Sequence, residues 1–177
     1  DFAQICGKTR KKDGENYKYD GTYEDIGMLI KEKVGASLPA LESFFRLVLF
    51  NYIFSNGDAH LKNFSLVQTE FGDYTLSRAY DLMCTVLHTP NESDTALDLY
   101  KGDIESDFYQ QCGYFGRPNF EELANRFGLL PKRANDIIDK LLHKQNDIEA
   151  FIKGSFLADE SRQKYFSSYN DKLKRFK

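Results

Sequence analysis

Ser55-Asn56-Gly57-Asp58-Ala59-His60-Leu61-Lys62-Asn63-Phe64, with Tyr80-Asp81 beyond the next turn, is the stretch on which the reading of this chain turns. It carries an aspartate, a histidine two residues on and an asparagine five residues on, and a second aspartate follows at 81. Upstream, residues 41–53 are apolar nearly all round, with Phe44, Phe45, Leu47, Val48, Leu49, Phe50, Tyr52 and Ile53. A helix without a polar face is buried on most sides. This one, opened by Pro39 at a favoured first-turn position, is therefore the expected central helix, and it delivers the chain into the polar loop. Downstream, residues 64–68 and 74–77 alternate around Glu70-Phe71-Gly72-Asp73, which predicts a β-hairpin. Such a hairpin folds the chain back so that Asp81 can approach Asn63.

Phosphoryl transfer asks little of a protein beyond positioning and charge neutralisation. It needs one carboxylate near the attacking hydroxyl, and a carboxylate and an amide oxygen to hold Mg²⁺ against nucleotide phosphates. Kinase catalytic loops set the base and the metal-binding Asn five residues apart, with a further Asp across a hairpin. Asp58, Asn63 and Asp81 repeat that order and spacing. Asp58 alone, in an Asn-Gly-Asp loop, would read as a turn residue bonding its own backbone. With His60, Lys62, Asn63 and Asp81 beside it, the catalytic reading is preferred. His60 has no partner His at i+4, and kinase-type metals prefer oxygen, so it is expected to brace the loop. For Lys62 two readings stay open: a charge near the transferring phosphoryl group, or a solvated lysine.

The segment 56–65, preceded by Phe44-Phe45-Arg46 and followed by Ala79-Tyr80-Asp81-Leu82-Met83, resembles the C-terminal lobe of the HipA-like serine/threonine kinases, toxins of bacterial toxin–antitoxin operons. Tyr23-Glu24-Asp25 and the Lys172-Leu173-Lys174-Arg175 ending are in the same style, so the similarity runs over nearly all of residues 1–177, read as one domain. The resemblance implies an α+β, mostly helical, kinase-like C-lobe with a small hairpin at the active site and a C-terminal helical bundle. It implies ATP and Mg²⁺ as cofactors. Asp58, with support from His60 and Lys62, would be catalytic, and Asn63 and Asp81 would bind metal. Asn63, Asp81 and Tyr80 would line the nucleotide, with Leu82 and Met83 packed around the metal aspartate. The implied partners are a protein substrate, with aminoacyl-tRNA synthetases among the candidates, and a HipB-like antitoxin and, through it, DNA. A Gly-rich phosphate-covering loop and an N-lobe lysine, which a complete kinase needs, are not found. An N-terminal lobe is therefore expected from upstream residues or another chain, and residues 1–177 alone are expected to be poorly active.

Composition narrows the alternatives. A length of 177 residues allows a sizeable core, and a net charge of −3 provides no global pull toward nucleic acid or an anionic membrane. Three widely spaced cysteines, Cys6, Cys84 and Cys112, without Cys-x-x-Cys, argue against a disulfide framework or zinc site and fit a reducing cytoplasm. No apolar run reaches membrane-spanning length. Gly7-Lys8-Thr9 lacks the second glycine a Walker loop requires, since Phe2 stands there.

Elsewhere Thr22 and Asp25 predict a capped helix start with Gly35 as its stop. Glu42 and Arg46, four apart, predict a surface pair. Residues 84–118 read as irregular, punctuated by Pro90, Asn91, Gly113, Gly116 and Pro118. A short strand is expected near 96–100, and Thr85, Thr89, Ser93 and Thr95 read as solvated loop. Asn119 is expected to cap a helix ending at Gly128, and Pro131 to open a longer one. A last helix spans about 161–176, its basic end (Lys172, Lys174, Arg175, Lys177) read as a solvated face. Residues 122–134 resemble a helix-turn-helix, but Asp136 and Asp139 interrupt any basic stripe. Rival functions are a small-molecule phosphotransferase of aminoglycoside-kinase type, a DNA-binding helix-turn-helix, and a non-catalytic interaction module.

Overall fold

A helix apolar nearly all round must be enclosed, and the chain wraps its other elements around one. The computed structural model describes residues 1–89 and 91–177; Pro90, read above as loop punctuation, lies outside them. In chain order the elements are α1 (Phe2–Ile5), α2 (Arg10–Asp13), α3 (Tyr23–Lys33), α4 (Ser37–Ile53), β1 (Leu66–Gln68), β2 (Tyr74–Leu76), α5 (Asp107–Cys112), α6 (Arg117–Phe127), α7 (Pro131–Leu142), α8 (Gln145–Lys153) and α9 (Asp159–Lys174). The α+β, mostly helical expectation is met. Among the described residues, no helix is long and apolar enough to cross a membrane.

Helix α4 is the centre. It starts two residues before Pro39, and Leu41, Phe44, Phe45, Val48, Leu49, Tyr52 and Ile53 are all buried, with α3, α6, α7 and α9 packed around them. Phe44 meets Phe64 edge-on at 5.2 Å and lies 5.7 Å from Phe127. Such ring pairs add about 0.5–1.5 kcal/mol each beyond area burial. Because Phe64 closes the polar loop, the core packs directly beneath that loop.

Helix α3 has the expected capping box, with Thr22 accepting from Asp25 N and Asp25 from Thr22 N. Its next orphan donors are met from outside: Tyr23 N and Glu24 N donate to the carbonyls of Asp98 (2.9 Å) and Leu99 (3.0 Å). This corrects the strand expected near 96–100. The segment is bent and makes a single bridge, Thr22 with Asp98, its carbonyls serving a helix end that lacks intrahelical partners. Gly27 lets α3 approach α6, since the Phe127 ring occupies the space a Cβ would need.

The hairpin is present and shorter than expected, with Leu66 opposite Leu76, Val67 opposite Thr75 and Gln68 opposite Tyr74. Helix α6 begins at Arg117, so Asn119 is its third residue rather than its cap. Asn119 still serves the helix start, accepting from Gly116 N at 3.1 Å and donating to Ser106 Oγ at 2.8 Å. Gly128 ends α6 in the left-handed conformation, as expected. In α7, Ala134, Ile137 and Ile138 are buried, and Arg133 forms a two-pronged bond to Glu42 (2.9 and 2.6 Å). The expected Glu42–Arg46 pair gives way to this one, and Arg46 acts on Glu42 through its charge alone.

The basic C-terminal end also departs from expectation. Lys172 is buried, its ammonium paired with Asp94 and 4.0 Å from the centre of the Tyr52 ring. Arg175 shares Asp94 and donates to Tyr52 Oη at 2.9 Å. Lys172 and Arg175 thus form a clamp between α9, the 92–94 segment and the central helix, and only the remainder of this end is solvated.

Candidate active site

At the end of α4 the chain must turn sharply. Ser55 does so with φ +56°, and Asp81 has φ +55°; among the described residues these are the positive-φ positions outside glycine. Non-glycine residues in this region cost on the order of 1 kcal/mol and persist where surrounding contacts hold them. Here the contacts are explicit. The Ser55 carbonyl accepts from Thr85 N (3.0 Å) and Thr85 Oγ1 (3.1 Å), and Ser55 Oγ meets Ser168 Oγ of α9 at 2.6 Å. Asn56 Nδ2 donates to Asn51 Oδ1 at 3.0 Å and to the Asp81 carbonyl at 3.1 Å. One side chain thereby ties the central helix to the second aspartate.

Gly57 N donates to Thr85 Oγ1 at 2.9 Å. A Cβ at Gly57 would overlap the Ser93 carbonyl and the Glu92 carboxylate, so only glycine admits this approach. Thr85, expected as solvated loop, is instead buried and braces the loop from behind.

The loop then coils on itself. His60 N donates to the Asp58 carbonyl (2.9 Å) and to Asn63 Oδ1 (3.0 Å), and Asn63 N donates to the His60 carbonyl (2.9 Å). Asn63 Nδ2 donates to Asp81 Oδ2 at 2.5 Å. The loop amide and the second carboxylate, 18 residues apart in the chain, are brought together as the hairpin argument required.

Asp58 stands on the same loop with about a third of its side chain exposed. Its Oδ1 accepts from the Tyr19 hydroxyl at 2.6 Å, and its Oδ2 lies 4.0 Å from His60 Nε2. His60 is buried, and its Nδ1 has no hydrogen-bond partner. Burial, then the nearby Lys18 charge, pushes its pKa below the ordinary value, with Asp58 opposing. The imidazole is therefore neutral near pH 7. It braces the loop through its backbone and by packing edge-on against Tyr19 (5.3 Å, 74°), rather than through ring hydrogen bonds.

Lys62 is exposed, and its carbonyl accepts from the Tyr80 hydroxyl at 2.7 Å. Tyr80 also meets Ser65 Oγ at 2.6 Å, so it fastens the hairpin exit to the loop. Leu82 and Met83, expected to pack around Asp81, are 44% and 49% exposed.

The donor set fits magnesium in a specific way. Among the described residues, no cluster of three or more His, Cys, Asp or Glu side chains could hold an ion. Magnesium, however, usually takes one or two carboxylates together with substrate phosphates and water. The exposed Asp81 carboxylate suits that mode rather than a closed protein cage, while the Asn63 amide turns its nitrogen to Asp81 and its oxygen to His60 N.

Sequence reasoning missed Tyr19, Thr85 and the Asn51–Asn56 pair. Asn51 carried a readable signal, a lone amide among the apolar residues 47–53 that end α4. Tyr19 carried none, being 39 residues from its partner.

Known proteins bear on the fold and family. A HipA chain from the Shewanella oneidensis MR-1 toxin–antitoxin complex of HipA, HipB and operator DNA superposes with a TM-score of 0.66. That match has 16% identity and covers 88% of this chain and 35% of that one. A Sinorhizobium fredii protein named "Putative kinase Y4dM" is 35% identical over 100 residues, 56% of this chain and 23% of its own length. A Haemophilus influenzae protein named "Putative kinase" is 24% identical over 180 residues, 96% of this chain and 51% of its own length. The chain thus spans a quarter to a half of the curated relatives it matches. The model of the HipA-like C-terminal domain matches residues 1–148. With that match over most of its length and the same fold as a HipA chain, this chain belongs to the HipA-like C-terminal domain family.

Proposed function

We propose that these residues form the catalytic lobe of an ATP- and Mg²⁺-dependent serine/threonine protein kinase of the HipA type. The observation that carries the reading is the 2.5 Å contact between Asn63 Nδ2 and Asp81 Oδ2, on the loop that presents Asp58 five residues earlier. The names of the relatives agree with it.

Asp58 orients the acceptor hydroxyl and takes its proton as the new phosphate ester forms. Asp81 would hold the metal through its carboxylate and Asn63 through its amide oxygen, which here accepts from His60 N. With ATP, Mg²⁺ held there would supply neutralisation of the phosphate charge. Neutral His60 packs the loop without adding a charge beside Asp58. Lys62 offers positive charge at the mouth of the site, and Tyr80 lines the nucleotide side while fastening the hairpin. The phosphate-covering residues come from an N-terminal lobe, in the same protein or on another chain. The substrate is a protein serine or threonine, with aminoacyl-tRNA synthetases as candidates by family. A HipB-like antitoxin, and operator DNA through it, are the proposed partners by likeness to the Shewanella assembly.

The test is phosphotransfer by the full-length protein. Asp58→Ala is expected to reduce it by about 10²–10⁴-fold, the usual scale for a lost acid–base group, and Asp81→Ala to abolish it through loss of the metal, both variants keeping the folded helical content. Phosphotransfer retained in either variant would overturn the assignment.

A further inference from the structure

One contact on Asp58 has no part in the reaction described above. The Tyr19 hydroxyl donates to Asp58 Oδ1 at 2.6 Å, within the range of about 2.5–2.7 Å for hydroxyl–carboxylate bonds. That is the arrangement a base and an acceptor hydroxyl must adopt. The other oxygen, Oδ2, is beyond hydrogen-bond reach of His60 Nε2. Tyr19 therefore stands where an acceptor would stand. Since about a third of Asp58 is exposed, removing the phenol would open Oδ1 to water.

Tyr17 packs against the core, whereas Tyr19 itself is lightly held. Tyr17–Tyr19 is one 3-10 turn between Gly14 (φ +83°) and Gly21 (φ +153°), and residues 9–16 are exposed. Tyr19 is itself 38% exposed. Its side chain is held by the hydroxyl bond, by the edge contact with His60, and by Lys18, whose Nζ lies 4.7 Å from the ring centre. The next residue, Asp20, pairs with Lys8 at the surface, where solvent screening keeps ion pairs weak. A ligand competing for Asp58 thus has few contacts to displace.

We propose that Tyr19 is a specificity-determining residue, its phenol holding the acceptor position on Asp58 against water until a serine or threonine hydroxyl on a flexible segment replaces it. The inference rests on Asp58 being the base of the proposed phosphotransfer. In that step the acceptor oxygen bonds to the γ-phosphorus of ATP, the bond to the β-phosphate oxygen breaks to release ADP, and the acceptor proton passes to Asp58. With water as acceptor the same bonds change and phosphate is released, which is the side reaction the phenol suppresses.

The experiment compares wild type, Tyr19→Phe and Tyr19→Phe/Asp58→Ala in the full-length protein, with Mg·ATP and no protein acceptor. ADP release is expected to rise about tenfold in Tyr19→Phe, the factor matching the loss of one hydrogen bond to a charged group. The rise should vanish in the double variant, and Tyr19→Phe should keep the wild-type circular dichroism spectrum. A ligand-free readout accompanies it. Burial and the Asp58 hydrogen bond hold the Tyr19 phenol above its ordinary pKa. The phenol absorbance attributable to Tyr19, isolated by difference against Tyr19→Phe, should therefore titrate lower in Asp58→Ala. Unchanged or slower ADP release in Tyr19→Phe, a rise that persists without Asp58, an unmoved phenol titration, or phosphate found on Tyr19 itself would each overturn the inference. Phosphotransfer to protein that survives Asp58→Ala overturns the functional reading instead, and this inference with it.

Discussion

On the side of the 55–63 loop that faces the body of the protein, Asn51, Asn56, Gly57 and Thr85 bond to one another and to the Ser55 and Asp81 carbonyls. On the opposite side, Asp58 meets a single hydroxyl, Asp81 a single amide, and Lys62 points to solvent. The two sides come from the same few residues and differ in what they leave unfinished. A buried polar group without a partner costs on the order of 1–3 kcal/mol, so the inner side is saturated. Exposed carboxylates carry no such penalty and can wait for a ligand. Rigidity behind and spare bonding capacity in front is the division a phosphotransfer site requires, because a displacement of about 1 Å can lower the rate a hundredfold.

Gly57→Ala attacks the inner side most directly. Its Cβ would strike the Ser93 backbone, and phosphotransfer in the full-length protein is expected to fall about a hundredfold through displacement of Asp58, while circular dichroism stays helical. Wild-type rates would show that the inner side has slack. Next is Asp94→Ala, which leaves buried Lys172 without its carboxylate. Chemical denaturation should show a loss of ~2–3 kcal/mol, less than for a wholly buried pair because a third of Asp94 is open to water. Lys172→Met should cost less, since it removes the buried charge along with the pair.

Asn56→Ala separates the two sides: it frees Asn51 and the Asp81 carbonyl and should cost about 1–3 kcal/mol. Phosphotransfer should fall further than this loss of stability explains, because Asp81 loses its anchor. His60 sits at the boundary, and acid should reveal it. Its folded pKa lies below the unfolded value of about 6.5. As pH falls below that value the unfolded chain takes up the proton first, and the His60 contribution to stability is lost. A denaturation midpoint followed from pH 8 to 5 should decline less steeply in His60→Gln. Smallest of all, Glu42→Gln, away from the loop, should change stability by at most ~1 kcal/mol and less at high salt. A larger effect would mean that the α4–α7 seam also governs the loop.

The central helix, the hairpin, the capped start of α3 and the α6–α7 boundary were legible because each depends on neighbours within a few residues: an apolar run, an alternating pair, Thr22 with Asp25, Gly128 with Pro131. The loop spacing was legible for the same reason, since Asp58, His60 and Asn63 belong to a single turn of chain. The basic end was misread for the opposite reason. Lys172 and Arg175 look like any solvated helix terminus until Asp94, 78 residues earlier, is folded against them. Glu42 likewise had a local candidate in Arg46 and took a distant one in Arg133.

From residue order alone came the helix-loop-hairpin frame, the three oxygen-bearing side chains and the family. Tertiary structure alone decided which bonds hold that frame and what rests on Asp58. Thr85, Asn56 and Tyr19 acquire their roles from contacts between residues 25 to 39 positions apart in the chain. The physical reason is that backbone periodicity and turn chemistry act over a few residues, whereas the partner of a polar side chain is whatever packing brings within about 3 Å.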